Sequence, residues 1–315
     1  MINIGCVFYV IQKKVHRMLF RKKYVEWTKE RKNGCDEQKT YYVIRRQGDY
    51  AGLFSYVLYV LEKCEQAEKS GWFPIVDMQS TINSYLYSHE VGKVNSWEYY
   101  FEQPCKEGLI KSKECKKVVF SDVKTLCKIG SVIFRDREEL GKWSYYYEKY
   151  IHLNEETKEY IQRMYEKIIG TEDVVLGILA RGTDYKAKPA LHPIQPDPDT
   201  IIADAKNLMG AGAYNKIFLA TEDKEIYQKF EKEFGNKLLS IECPRYSGTS
   251  RITQRNNCRE KDKYIQGLDY LTTIYVLAKC DALLAGNTNG SIAAGLINAG
   301  KYKYVHIYSL GYYPE

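Results

Sequence analysis

The sequence predicts an α/β protein of two domains, the second built on a doubly wound parallel sheet. Three observations carry this expectation. From residue 171 onward, short apolar runs alternate with segments of helical period. At 315 residues the chain exceeds the roughly 250–300 at which one core usually gives way to two. One buried-type strand, Val174 to Ala180, runs straight into Arg181-Gly182-Thr183-Asp184-Tyr185. Charges at that position point to a ligand, because the carboxyl edge of an open parallel sheet is where ligands bind.

Taken in order, residues 1–39 come first and are basic: ten Lys/Arg (Lys13, Lys14, Arg17, Arg21, Lys22, Lys23, Lys29, Arg31, Lys32, Lys39) stand against four acids. The apolar run Ile2 to Ile11 is too short to span a bilayer and precedes its positive charges, the reverse of a secretory signal. Two readings remain open for it. Val7, Phe8, Ile11, Val15, Leu19 and Phe20 can face lipid on an interfacial helix, or the same helix can dock on the protein with a solvated basic face.

Residues 40–170 form the expected first domain. Thr40 to Arg46 reads as a strand, Gly48 to Gly52 as a turn, Leu53 to Ala67 as a helix and Trp72 to Met78 as a second strand. The turn lacks the full G-x-G-x-x-G pattern, so a dinucleotide site is weakly supported. Residues 80–116 read as an aromatic loop whose Trp97, Tyr99, Tyr100 and Phe101 suit sugar stacking and core packing equally. Helices follow near 135–150 and 154–169, the second capped by Asn154, and Gly170 marks the boundary.

Residues 171–315 form the second domain, with strands at 174–180, 216–220, 238–241, 282–285 and 303–307 and helices at 199–208, 223–234, 263–280 and 290–299.

Composition narrows the function. The net charge is +7, of which residues 1–39 hold nearly all, so the body is close to neutral and a broad nucleic-acid-binding face is not expected. Nine cysteines without C-x-x-C spacing, and no secretory signal, read as reduced thiols in a cytoplasmic protein. The five histidines never stand at i, i+4 spacing, and no metal site is expected.

Three polar clusters follow three of the predicted strands, so the fold should bring them to one edge: Arg181 to Asp184, Thr221-Glu222-Asp223, and Gly286 to Ser291. Each also has a purely structural reading. Arg181 and Asp184 can form an ion pair that fixes their own loop, Glu222 and Asp223 suit the start of a helix, and the third cluster can be a polar turn. The functional reading makes Arg181 a grip for a diphosphate. A helix beginning near Gly290 would aim free N–H groups at the same anion. Asp269, among the apolar residues of the helix at 263–280, needs either a protein donor or a ligand N–H pair.

These residues also carry a resemblance. Gly177 to Pro193, ending in His192-Pro193-Ile194, resembles the first motif of the inverting fucosyltransferases that use GDP-fucose, H-x-R-x-x-D followed by H-P-I. Leu219 to Asp223 is similar to their second motif, and Gly267 to Leu271 with Asp281 to Ser291 to their third. The α-1,6- and nodulation-type enzymes are nearest, the protein O-fucosyltransferases more distant. The motif histidine is Leu179 here, which opens the base contact, and Tyr185 replaces a frequent basic residue, with Lys186 one place later.

The resemblance implies a GT-B fold, two Rossmann-like domains with a donor-binding cleft between them, and metal-independent chemistry without a cofactor. Arg181 would hold the β-phosphate, Asp269 would read the guanine, and Thr288, Asn289, Gly290 and Ser291 would line the phosphate pocket. Thr221 and Asp223 would stand beside the donor, and Asp184 or Glu222 would be the base. The expected partners are a nucleotide-sugar donor and a surface glycan or lipid-linked acceptor at the inner face of a membrane, with residues 1–39 as the contact. A different nucleoside-diphosphate sugar, or a carbohydrate- or nucleotide-binding module without turnover, are the alternatives.

Overall fold

The computed structural model describes residues 25–32, 34, 38–46, 51–123, 127–251, 253, 255, 257 and 259–314. The helical reading of residues 2–20 and most of the Gly48 to Gly52 turn lie outside the described residues.

The first sheet contains β1 (Trp27–Glu30), β2 (Thr40–Arg45), β3 (Phe73–Asp77) and β4 (Lys117–Phe120), in the order β1-β4-β2-β3. β2 pairs in parallel with both neighbours, and β1 closes the sheet antiparallel to β4. Tyr41, Tyr42, Val43 and Ile44 are consecutively buried, which marks β2 as a central strand covered on both faces. Helix α1 (Leu53–Lys69) covers one face, and the short helix α2 (Leu109–Glu114) lies on the other, over the cluster of Tyr41, Val43, Ile75 and Val118.

The aromatic loop packs a core. Trp97, Tyr100 and Phe101 are buried, and Tyr100 stacks on Tyr264 at 5.5 Å while its hydroxyl donates to the Tyr264 carbonyl. Tyr264 belongs to the helix Asp262–Ala278 of the second domain, so this loop is part of what joins the two halves. Helices α3 (Arg137–Tyr150) and α4 (Glu155–Ile168) follow. Asn154 caps α4 by accepting from the Thr157 N–H, as its position before two acids predicts.

The second sheet is wholly parallel: β5 (Val175–Leu179), β6 (Lys216–Ala220), β7 (Leu238–Leu239), β8 (Ala282–Gly286) and β9 (Tyr304–Tyr308), in the order β7-β6-β5-β8-β9. Its helices are α5 (Pro198–Gly210), α6 (Lys224–Phe234), α7 (Asp262–Ala278) and α8 (Asn289–Asn298). Alternation along β5 sorts the layers. Leu176 and Ile178 join the core under α5 and α6, whereas Val175 and Leu179 join a core shared with α7, α8 and the first domain. The strand order reverses between β5 and β8, which places a topological switch point beside Arg181.

The six cysteines among the described residues are free thiols, and no helix among those residues is long and apolar enough to cross a membrane.

Candidate active site

At the end of β5 the chain turns sharply. Gly182 donates its N–H to Glu222 Oε1 at 3.0 Å, and Thr183 donates its own to Asp223 Oδ2 at 2.9 Å. Thr183 is fully buried at a φ of +40°, a strained conformation that the surrounding bonds impose. Gly182 is needed for a separate reason: a Cβ there would lie 2.3 Å from Asp223 Oδ2. The loop therefore rests directly on the carboxylate that caps α6.

Arg181 leaves this turn into a cleft between the two domains. Its Nη2 donates to Asp184 Oδ1 at 3.1 Å, and its Nε stands 3.3 Å from Glu222 Oε1. The Thr183 hydroxyl is 3.1 Å from the first of these oxygens and 3.0 Å from the second, so one hydroxyl bridges both carboxylates. Burial alone would weaken the guanidinium's hold on its proton, but Glu222 and Asp184 outweigh it and raise its pKa above the ordinary arginine value. Arg181 is a fixed cation at any physiological pH.

Gly52 and Tyr85 of the first domain face Arg181, Asp184, Thr221, Glu222, Asp269, Tyr270 and Thr273 of the second across this cleft, which encloses about 140 Å³. Leu179, Cys243, Arg251 and Arg259 line it too. Asp269, as expected of a carboxylate in apolar company, has found a donor within the protein: Arg259 Nη1, 2.9 Å from Oδ2. Arg259 is itself fixed by Asp262, whose Oδ1 accepts from Nε at 2.7 Å. Burial raises the Asp269 pKa, against the pull of Arg259.

Not all the sequence candidates meet here. Arg181, Asp184, Thr221, Glu222 and Asp269 line one cleft. Asp223 is fully buried beneath it, accepting from the Glu225 and Ile226 N–H groups as the cap of α6 while Lys186 Nζ reaches its other oxygen at 2.7 Å. Thr288, Asn289, Gly290 and Ser291 are not among the residues lining the cleft. Thr288 and Ser291 form a reciprocal capping box, with Ser291 buried and its hydroxyl also 2.8 Å from the Gly286 carbonyl. Gly290 lies under Tyr270, whose hydroxyl would stand 2.6 Å from any Cβ added there, and only Asn289 is exposed.

Sequence reasoning missed Arg251, Arg259, Tyr85 and Tyr270. The nearest available signal was Arg259 standing three residues before Asp262 and ten before Asp269, which places one cation within reach of two acids at a helix start. Among the described residues no group of three or more His, Cys, Asp or Glu is placed to hold a metal ion.

No protein-family model and no curated protein matches the chain. Solved structures do. The chain is similar to NodZ α-1,6-fucosyltransferase soaked with GDP-fucose, at a TM-score of 0.52 and 16% identity over 82% of this chain and 93% of that one. It is also similar to fucosyltransferase NodZ from Bradyrhizobium (TM-score 0.48, 14% identity, 82% and 92% covered). A third is POFUT1 in complex with GDP-fucose (TM-score 0.47, 10% identity, 89% and 100% covered). The first likeness shows the fold, a GT-B arrangement of two α/β domains, as the sequence motifs implied.

Proposed function

We propose that this chain is a glycosyltransferase that moves fucose from GDP-fucose to a hydroxyl of a surface glycan or a lipid-linked oligosaccharide, with inversion at the anomeric carbon. The observation that carries the reading is Arg181: a half-buried, permanently charged guanidinium at the carboxyl end of β5, beside the switch point, in the cleft between the domains. The three stretches that resemble fucosyltransferase motifs contribute to that cleft or to its walls, in a fold similar to that of an enzyme soaked with GDP-fucose.

In this mechanism the acceptor oxygen attacks the anomeric carbon as the carbon–oxygen bond to the β-phosphate breaks, and GDP leaves with the electron pair. Arg181 holds the charge that develops on the phosphate, the preorganised stabilisation that contributes most in such sites. The acceptor proton passes to Asp184 or Glu222, the two carboxylates bridged by Thr183. Asp269 meets the guanine N–H groups once Arg259 yields one of its contacts. The arginines neutralise the leaving diphosphate, work that a divalent metal performs in other transferases, and no cofactor takes part. The protein acts in the cytoplasm at the inner face of the cell membrane, with residues 1–39 as its contact.

A cleft of about 140 Å³ is smaller than the roughly 300–1,000 Å³ of small-molecule pockets. Donor binding is therefore expected to part Gly52 and Tyr85 from the second domain. The deciding experiment compares binding and hydrolysis of GDP-fucose, GDP-mannose and UDP-glucose by the parent chain and by Arg181→Ala. GDP-fucose binding that disappears with the substitution supports the reading; no binding of any nucleotide sugar by the parent chain removes it. Leu179, where the motif has histidine, favours one second reading, a transferase with another nucleotide sugar, which GDP-mannose or UDP-glucose turnover would reveal. Donor binding without transfer would instead indicate a binding module.

A further inference from the structure

We propose that the outer edge of the first domain, formed by β1 and α2, is a docking surface for an anionic lipid bilayer. β1 is an end strand whose one partner in the sheet is β4, so its other side carries no neighbouring strand among the described residues. Arg31, directly after β1, donates through Nη1 to the Ser112 and Cys115 carbonyls at the end of α2, at 3.2 and 2.5 Å. That guanidinium joins the strand and the helix into one surface. Lys29 pairs with Val118, whose side chain packs in the cluster that α2 covers, so Lys29 points to the α2 face as well.

Four exposed lysines stand on this edge, Lys29, Lys32, Lys111 and Lys113, while Lys117 faces the other side of the sheet opposite Glu30. None is in an ion pair with a described residue. The exposed acids among them are Glu30 and Glu114, while Glu107 is already engaged by Lys39 and Tyr41. An unpaired cluster is what an anionic surface would neutralise.

Ile110 decides between kinds of polyanion. It is 67% exposed, the most exposed large apolar residue of the described chain, and it sits beside Lys111 and Lys113. A soluble polyanion gains nothing from it. A bilayer accepts both, the isoleucine entering the headgroup boundary and the lysines meeting anionic lipid at about 1 kcal/mol each, or about five-fold in affinity. The sequence leading into β1 has the same character, with Lys13, Lys14, Arg17, Arg21, Lys22 and Lys23 interleaved with Val15, Leu19 and Phe20.

The test is co-sedimentation of the full chain, without donor, with vesicles of phosphatidylcholine alone and of phosphatidylcholine with phosphatidylglycerol. The parent should bind the anionic vesicles and release as salt rises, and bind the neutral ones weakly. Lys111→Glu combined with Lys113→Glu should lower the partition by at least about 25-fold. Lys29→Glu with Lys32→Glu should lower it in the same sense from the strand side, and Ile110→Asn by several-fold with the salt slope unchanged. All sit on exposed positions, and an unchanged melting temperature verifies the fold. Parental binding by both lysine variants overturns the proposal, assigning any contact to residues 1–24. Equal binding to neutral vesicles, or binding to dextran sulfate but to no vesicle, overturns it as well. Because no nucleotide sugar is present, these results stand or fall apart from the transferase reading.

Discussion

The loop after β5 and the turn after β8 lie on neighbouring strands of one sheet edge, and both have the composition of an anion grip. The structure uses them differently. In the first, Gly182, Thr183, Glu222 and Asp223 satisfy one another so that the Arg181 guanidinium is pressed into the cleft. In the second, Thr288 and Ser291 satisfy each other and the Gly286 carbonyl. Their polar groups are largely consumed by the helix they begin. Small polar residues before a helix meet the demands of a cap and of an anion equally well, and only the bonds they make separate the two uses.

The largest effect should come from Arg181→Ala. Removing a preorganised cation aimed at developing charge costs about 3–4 kcal/mol, or roughly 100- to 1,000-fold in transfer rate. Arg181→Lys keeps the charge but loses the fork that spans Asp184 and Glu222, and should fall between the parent and the alanine variant. Steady-state kinetics with GDP-fucose measures both. Near-parental rates in Arg181→Ala would mean that the first loop, too, is only structural.

Gly182→Ala comes next and acts through packing. Its methyl group would meet the Asp223 carboxylate at 2.3–2.5 Å, so either the loop or the cap of α6 must shift. Overpacking of this kind costs about 1–3 kcal/mol, visible as a lowered denaturation midpoint, and donor affinity should fall along with stability. Ser291→Ala should separate those quantities. Loss of the capping box costs about 1 kcal/mol of stability and should leave donor affinity within about two-fold of the parent. A ten-fold loss of affinity in that variant would restore the second turn to the donor site.

Much of this edge is legible in the sequence. The strand at 216–220 is observed at Lys216–Ala220, and the strand expected at 174–180 is observed at Val175–Leu179, because fully buried parallel strands read as unbroken apolar runs. β1 and β4 were not legible. Each has four residues, and Trp27-Thr28-Lys29-Glu30 looks like the rest of a basic segment until Val118 and Val119 supply its ladder. The three clusters were correctly expected to follow strands of one sheet, yet the lining of the cleft depends on which way each turn spends its hydrogen bonds. Arg259 was hidden because its partners, Asp262 and Asp269, become neighbours only through the helix that carries them.

The smallest effect concerns pH and bears on Asp223, the residue on which the first loop rests. Burial by itself would raise its pKa, but the Lys186 ammonium and the N–H groups of Thr183 and Ile226 outweigh it and hold the carboxyl below its ordinary value. A carboxyl lowered by folding contributes stability that is fully present above its unfolded pKa, about 3.9, and is lost as pH falls through the lower folded value. Chemical denaturation between pH 2 and 6 should therefore show stability declining below about pH 4 in the parent. In Asp223→Asn, which keeps an acceptor for the cap but has no charge for Lys186, part of that decline should be missing. The same substitution should slow transfer at pH 7, since the Thr183 N–H loses the carboxylate oxygen to which it donates beneath Arg181. Ser291→Ala should leave both the pH profile and the rate as they are. A pH profile in Asp223→Asn that overlies the parent's would place the acid sensitivity in another pair, with Asp262 and Arg259 the next to examine.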